Sequence, residues 1–386
     1  MKHLTSSLKN SVALIRRRIK DPQLRVKFLR LGERSRTDIA LVYIEDIANP
    51  ALVNEVKRRL DLIKTDSIMD SSYLEQYIQD QPFSPFPQVQ WTERPDRAAA
   101  EILEGRIALL SDGSPNALLV PATLPNFLPA SEDYYERAML STVVRAIRTA
   151  SIVIAILLPS LYVAVISFHH ELLPTFLALT IAGSRANVPF SSVAEALVME
   201  LTFELLREAG LRLPAPLGWS IGIVGGIIIG QSAVSAGLVS PIMVVVVALT
   251  AIGAFSIPSY NVGTSIRMLR FPLLFLAGTF GLFGVTAGII LILLHLVSLK
   301  SFGVPYLSPV APAALRNLTD TIVRAPIHMQ RLRPLMYRPQ DLRRSAPRSS
   351  YYQNRQEMHE HGFETRPLLL QPTSEKGYPD EDTKDQ

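Results

Sequence analysis

LPAPLGWSIGIVGGIIIGQSAVSAGLVSPIMVVVVALTAIGAFSIPSYNVGTSI, residues 213–266, runs 54 positions from Arg212 to Arg267 without an Asp, Glu, Lys, Arg or His. About 20 apolar residues are enough to span a bilayer as a helix. Two further uncharged runs, 149–168 and 271–294, flank it. The sequence therefore predicts a multi-pass α-helical membrane protein.

Outward from this block the composition changes. Residues 1–148 are mixed and charged and predict an N-terminal cytoplasmic α/β domain. Residues 149–299 form the transmembrane domain, with four to six helices. Residues 300–348 are a basic, Pro-rich juxtamembrane segment. The tail, 349–386, holds eight acids and four bases with few apolar residues and is expected to be disordered. The net charge of +5 averages these unlike parts. The absence of cysteine excludes a disulfide framework, a thiol nucleophile and Cys-ligated zinc. No short apolar segment follows the first Lys and Arg residues, so the start does not read as a secretory signal.

In the first domain, 38–47 (DIALVYIEDI) reads as a buried strand. Pro50 opens a helix to about Ile63, with Val53, Val56, Leu60 and Ile63 on one face. A second helix covers about 71–79, and a third starts around Thr92–Asp96 and ends at Gly105. Two strands, 106–111 and 116–121, flank an Asp112-Gly113-Ser114-Pro115 turn. No Gly-rich phosphate loop and no metal-ligand motif accompanies them, so the domain reads as a structural or docking module.

Lys and Arg near helix ends set topology. Arg137, Arg145 and Arg148 precede the first span, and Lys300, Arg316, Arg324, Arg331, Arg333 and Arg348 follow the last. Both termini are then cytoplasmic, with spans near 149–168, 217–239, 241–257 and 271–298. Residues 171–184 and 193–209 are a re-entrant pair or two broken helices. Arg267 and Arg270 fall on the outer side in this arrangement.

Three patterns in the block bear on function. Gly222, Gly226 and Gly230, four apart, let helices approach closely. Gln231 and Ser235 are candidate polar membrane contacts, either hydrogen-bonding between helices or lining a pore. Glu200, Glu204 and Glu208 form one carboxylate stripe on a helix, beside an apolar strip of Leu197, Leu201 and Leu205. Repeated around an oligomer axis the stripe makes acidic rings that favour cations. Lying on a membrane surface, it is simply solvated. His169-His170-Glu171 caps the first span and lacks the further ligands a metal site needs.

The chain resembles the A subunit of the GerA family of spore germinant receptors over about 28–340. LGERSRTDIALVYIEDIANP (31–50), SPFPQVQWTERPD (84–96), EGRIALLSDGSP (104–115), LYVAVISFHHELLPT (161–175), SRANVPF (184–190), ELLREAGLRLP (204–214), IGQSAVSAGLVSP (229–241) and SFGVPYLSP (301–309) carry the resemblance, in order. It implies a non-enzymatic protein of the spore inner membrane, without cofactors. The implied partners are a second copy of the chain, a transporter-like B subunit, a lipoprotein C subunit, membrane lipid and cations, and no nucleic acid. The implied role is a cation path opened when a nutrient binds a partner subunit. Family members usually carry a longer soluble region before this pattern. A paralogous stage V sporulation protein of the family is the alternative. So is a membrane enzyme, with Ser167, His169, His170, Glu200 and Glu204 as its candidate groups, or a transporter, although no internal repeat is visible.

Overall fold

From Ile39 on, every residue of β2 (Thr37–Ile44) is apolar and buried. Ile39, Leu41 and Tyr43 face one core, and Ala40, Val42 and Ile44 face another. A strand covered on both faces reads as a continuous hydrophobic run rather than an alternation. In the computed structural model, which describes residues 3–313, 320–321 and 323–345, this strand sits inside a five-stranded antiparallel sheet. The order is β1 (Leu24–Leu31), β2, β4 (Ile107–Ser111), β5 (Ala117–Val120), β3 (Gln90–Thr92). Helices α2 (Pro50–Asp61) and α3 (Ser71–Ile78) cover one face, and α1 (Leu8–Arg18) and α4 (Pro95–Leu103) the other.

The Asp-Gly turn between β4 and β5 does more than reverse the chain. Asp112 Oδ1 accepts from Leu8 N (3.0 Å), satisfying a first-turn donor of α1 that its own N-cap, Ser7, leaves open. Arg106, at the start of β4, is fully buried. It donates to Gln90 Oε1 (2.6 Å), Glu101 Oε2 (2.7 Å) and the Leu119 carbonyl (3.0 Å).

Six α-helices between residues 138 and 298 build a bundle on this domain. Helix α5 (Ala138–Phe168) starts 11 residues before the expected span, because its first turns pack on the domain. Arg145 and Arg148 reach Asp133, at 3.4 and 2.7 Å. Burial alone pushes the Asp133 carboxyl up, but hydrogen bonds from Arg148 and the Ala130 N–H, with the charge of both arginines, hold it below its ordinary value. The far end of α5 is marked by His169. There α6 (Thr175–Arg185) lies, and α7 (Ser192–Arg212) begins with Ser192 Oγ 2.5 Å from Ser167 Oγ. Helix α7 returns to the near end, where Arg207 stacks on Phe255. Helix α8 (Ala215–Ser235) runs outward again; of its residues 215–224 only the helical path is described. Helix α9 (Pro241–Phe255) comes back, its Gly253 close against the Ser151 carbonyl of α5.

The last helix, α10 (Tyr260–Ser298), departs from the single span expected at 271–298. Gly281 has φ 61° and ψ −141°, a backbone region open only to glycine, and it reverses the direction of the chain. The second arm folds back on the first, with Gly288 against Leu273 and Gly284 against Leu276. Gly281 packs on Phe168 and His169 at the far end, while Ser265 and His295, one on each arm, both reach the loop Ser84–Phe86 of the α/β domain. Arg267 and Arg270 therefore stand near the α/β domain, not at the outer end where the expected crossings placed them. Two helical segments, Ala138–Phe168 and Tyr260–Ser298, the second with its reversal at Gly281, are by length and composition apolar enough to cross a membrane, and Gly225–Ser235 and Pro241–Phe255 are shorter apolar helices.

After α10 the chain returns to the domain. Ser301 Oγ donates to the Gln88 carbonyl (2.7 Å) and accepts from Ala122 N (3.0 Å), Phe302 N donates to Asp80 Oδ2 (2.7 Å), and Leu124 N donates to the Tyr306 carbonyl (2.8 Å). The short pair β6 (Lys300–Ser301) and β7 (Val304–Pro305) forms this clamp. The basic segment beyond it is bound rather than free. Arg324 donates to the carbonyls of Asp133, Tyr134 and Glu136, and Arg333 to those of Leu103, Asp341 and Arg343. The expected acidic tail at 349–386, with Arg316 and Arg348, lies outside the described residues.

Candidate functional site

Ser191 caps α7, its hydroxyl accepting from Ala194 N (3.4 Å). From there the helix carries four carboxylates past the rest of the bundle, and each meets different surroundings. Glu195 is fully buried. Its Oε1 accepts from both the backbone N–H and the hydroxyl of Ser240, each at 2.5 Å, so a carboxylate of α7 caps the start of α9. An anion at a helix N-terminus meets unpaired N–H groups and the favourable end of the dipole. Its Oε2 lies 3.4 Å from Arg185 Nε.

Of the expected stripe, Glu200 is buried and paired with Arg270, whose Nε also donates to the Ala155 carbonyl of α5 (2.8 Å). Glu204 is half-exposed and lies 3.2 Å from Arg267. Glu208 is exposed and pairs with Arg212 one turn away (2.7 Å), where solvent leaves such a pair worth little. The three acids thus lie in one line, as their spacing requires, but pass from interior to surface. A buried pair such as Glu200–Arg270 fixes geometry more than it stabilises, since desolvation offsets most of the attraction. Leu197 packs in the bundle core, whereas Leu201 and Leu205 are exposed.

The glycine ridge is used within the chain. Gly226 faces Leu206 of α7 and Gly230 faces Val244 of α9: a methyl group added at either would come into contact with that neighbour. Gly225, beside the ridge, approaches Leu206 more tightly, and a methyl group there would clash with its Cδ1. Gly222 lies in the stretch whose surroundings fall outside the described residues. Gln231 and Ser235 are exposed.

Among the described residues, the candidate groups Ser167, His169, Glu200 and Glu204 have other partners. Ser167 Oγ meets Ser192, His169 Nδ1 lies 3.4 Å from the Ala164 carbonyl, and Glu200 and Glu204 meet arginines. Among the described residues no group of three or more His, Asp or Glu is placed to hold a metal ion. The sequence reading missed Arg267 and Arg270 as partners of the stripe, and Ser240 as the partner of Glu195. Two arginines in an apolar block, spaced by three, were the available signal.

Residues 3–336 match the Bacillus/Clostridium GerA spore germination protein family. The chain is 46% identical over 333 residues to the uncharacterized membrane protein YfkQ of Bacillus subtilis (strain 168), covering 86% of this chain and 65% of that one. It is 47% identical over 317 residues to spore germination protein A1 of the same organism, covering 82% and 66%. It is 46% identical over 321 residues to spore germination protein GerLA of Bacillus cereus, covering 83% and 65%. The chain thus spans about two thirds of the length of these relatives. Among solved structures, it is similar to the N-terminal domain of the A subunit of the Bacillus megaterium spore germinant receptor GerK3, 44% identical, with a TM-score of 0.27, covering 32% of this chain and 98% of that one. With a match of this length and relatives at this identity, the chain belongs to the GerA family of spore germination proteins.

Proposed function

We propose that the chain is a germinant-receptor A-type subunit of the spore inner membrane. Six crossings are made by α5, α7, α8, α9 and the two arms of α10, and both termini lie on the cytoplasmic side with the α/β domain. Copies of the chain assemble so that α7 and α8 border a cation path, opened by nutrient binding to a B-type partner subunit; a lipoprotein C-type subunit completes the receptor. The family match and the relatives named as spore germination proteins support the class.

One observation carries the path: Glu204 and Glu208 on α7, and Gln231 and Ser235 on α8, are polar side chains on largely apolar helices that the other described residues leave wholly or partly exposed. Polar groups in such helices face a partner, a cavity or an ion route. In this assignment Glu208 and Glu204 meet the ions, and Glu200 anchors the helix through Arg270. Glu208→Gln and Glu204→Gln are compared with wild type for cation release from triggered spores at matched protein level. The expected result is slower release or altered selectivity with assembly intact. Wild-type release in both variants and in the double variant makes α7 a packing helix and removes it from the path.

A further inference from the structure

A groove of about 430 Å³ runs between the last turn of α5 and α6, at the end of the bundle away from the α/β domain. Its volume is in the range of small-molecule sites. Ile166, Leu173, Ala178, Leu179, Ile181 and Ala182 make apolar walls, and Arg185 and His170 are its basic groups. The surroundings of Arg185 are unusual. Its side chain is largely covered, its one ion pair is Nε to Glu195 Oε2 at 3.4 Å, and among the described residues its guanidinium makes no hydrogen bond. A guanidinium stays charged and presents five donors in a planar fork that matches a phosphate. Glu195 is held by Ser240 and so fixes the fork in place without using its terminal nitrogens.

We propose that this groove binds one anionic phospholipid, an acyl chain against the apolar walls and the phosphate on Arg185, with His170 at the same mouth. The inference rests on the membrane reading above and adds a ligand to it. Charge complementarity selects the occupant. A free anion gains nothing from the apolar walls, and a neutral hydrocarbon leaves the terminal nitrogens of Arg185 without hydrogen-bond acceptors beside its Glu195 ion pair, which is costly for covered donors. A molecule with a phosphate at one end and alkyl chains at the other answers both, and it is the material that surrounds the outer end of a membrane bundle. The terminal nitrogens of Arg185 then gain charge-assisted hydrogen bonds.

The test uses the full chain. Its resistance to alkaline extraction from membranes is measured first. Purified protein is then placed in nanodiscs of phosphatidylglycerol, of phosphatidylcholine or of a mixture, and the retained lipid is read by native mass spectrometry. Both headgroups carry a phosphodiester, so the comparison reads net charge: with its choline cation held beside the Arg185 guanidinium, phosphatidylcholine should be retained about tenfold less than phosphatidylglycerol by wild type. Arg185→Gln should abolish the preference. Ala178→Phe, which fills the groove and leaves the Arg185–Glu195 pair in place, should reduce retention of both lipids. Inorganic phosphate at millimolar concentration should not displace the lipid. Equal retention of the two lipids by wild type, unchanged retention in both variants, displacement by phosphate alone, or a partner protein occupying the groove overturns the proposal while the membrane reading stands. A chain released by alkali sinks the membrane reading itself.

Discussion

Removing the Arg270 guanidinium leaves the Glu200 carboxylate buried between α5, α7 and α10 without its charge partner. Breaking a buried pair from one side costs about 3–5 kcal/mol. Arg270→Leu should therefore lower abundance in the membrane and the unfolding midpoint in detergent. The double variant Glu200→Leu/Arg270→Leu should recover most of that loss, and if it does not, Glu200 has a second role. In the α/β domain, Glu104 invites a pH measurement. Burial, reinforced by the neighbouring Glu101, pushes its carboxyl from 4.5 up to about 8. A raised carboxyl pKa means that the folded state holds the proton more tightly. The contribution of Glu104 to stability is thus full below pH 4.5 and declines as pH rises to about 8. Glu104→Gln should flatten the pH dependence of the unfolding midpoint across that window. Residues of this kind mark the limit of the linear sequence. The spacing of Glu200, Glu204 and Glu208 placed them on one line of α7, but their surroundings depend on Arg270 and Arg267, 70 and 63 residues away.

Helix α10 shows the same limit for an element. Its uncharged run is long enough for one tilted crossing, and glycine is common in membrane helices, so Gly281 gave no sign of a reversal. The reversal is a matter of backbone: only glycine takes φ 61° with ψ −141°, and a side chain there meets Phe168 and His169. Gly281→Val should cost at least about 1–3 kcal/mol from conformation alone. It should reduce the level of folded protein more than Gly226→Leu, whose neighbour is the movable end of Leu206. Abundance after mild extraction checks the order, and equal loss in the two variants counts against the tight turn. By contrast β2, α2, α3, α4, β4 and β5 were legible from periodicity and turn residues. Strand β1 was not, because Arg25, Lys27 and Arg30 interrupt its apolar residues at the sheet edge, where charge guards against pairing with another chain.

For the whole molecule, the paths of the helices make a labelling map. The chain has no cysteine, so single cysteines report cleanly. Leu172→Cys and Phe283→Cys lie at the far end, the second on the tip of the α10 turn. Both should react with an impermeant maleimide applied outside sealed membranes. Lys20→Cys and Tyr260→Cys, near the α/β domain, should react only after permeabilisation. External reaction at position 260 restores the arrangement in which Arg267 and Arg270 face outward and removes the six-crossing one.

The clamp of residues 300–306 on the α/β domain has a mechanical meaning. A head group on one tether swivels, and turning it does no work on what it hangs from. Here the domain grips the bundle twice, at the start of α5 through Asp133 and after α10 through Ser301, Phe302 and Tyr306. A body gripped at two separated points transmits torque. A rotation applied to the domain is therefore delivered as shear between α5 and the α10 hairpin, the pair of elements between which Arg270 and Ala155 are joined.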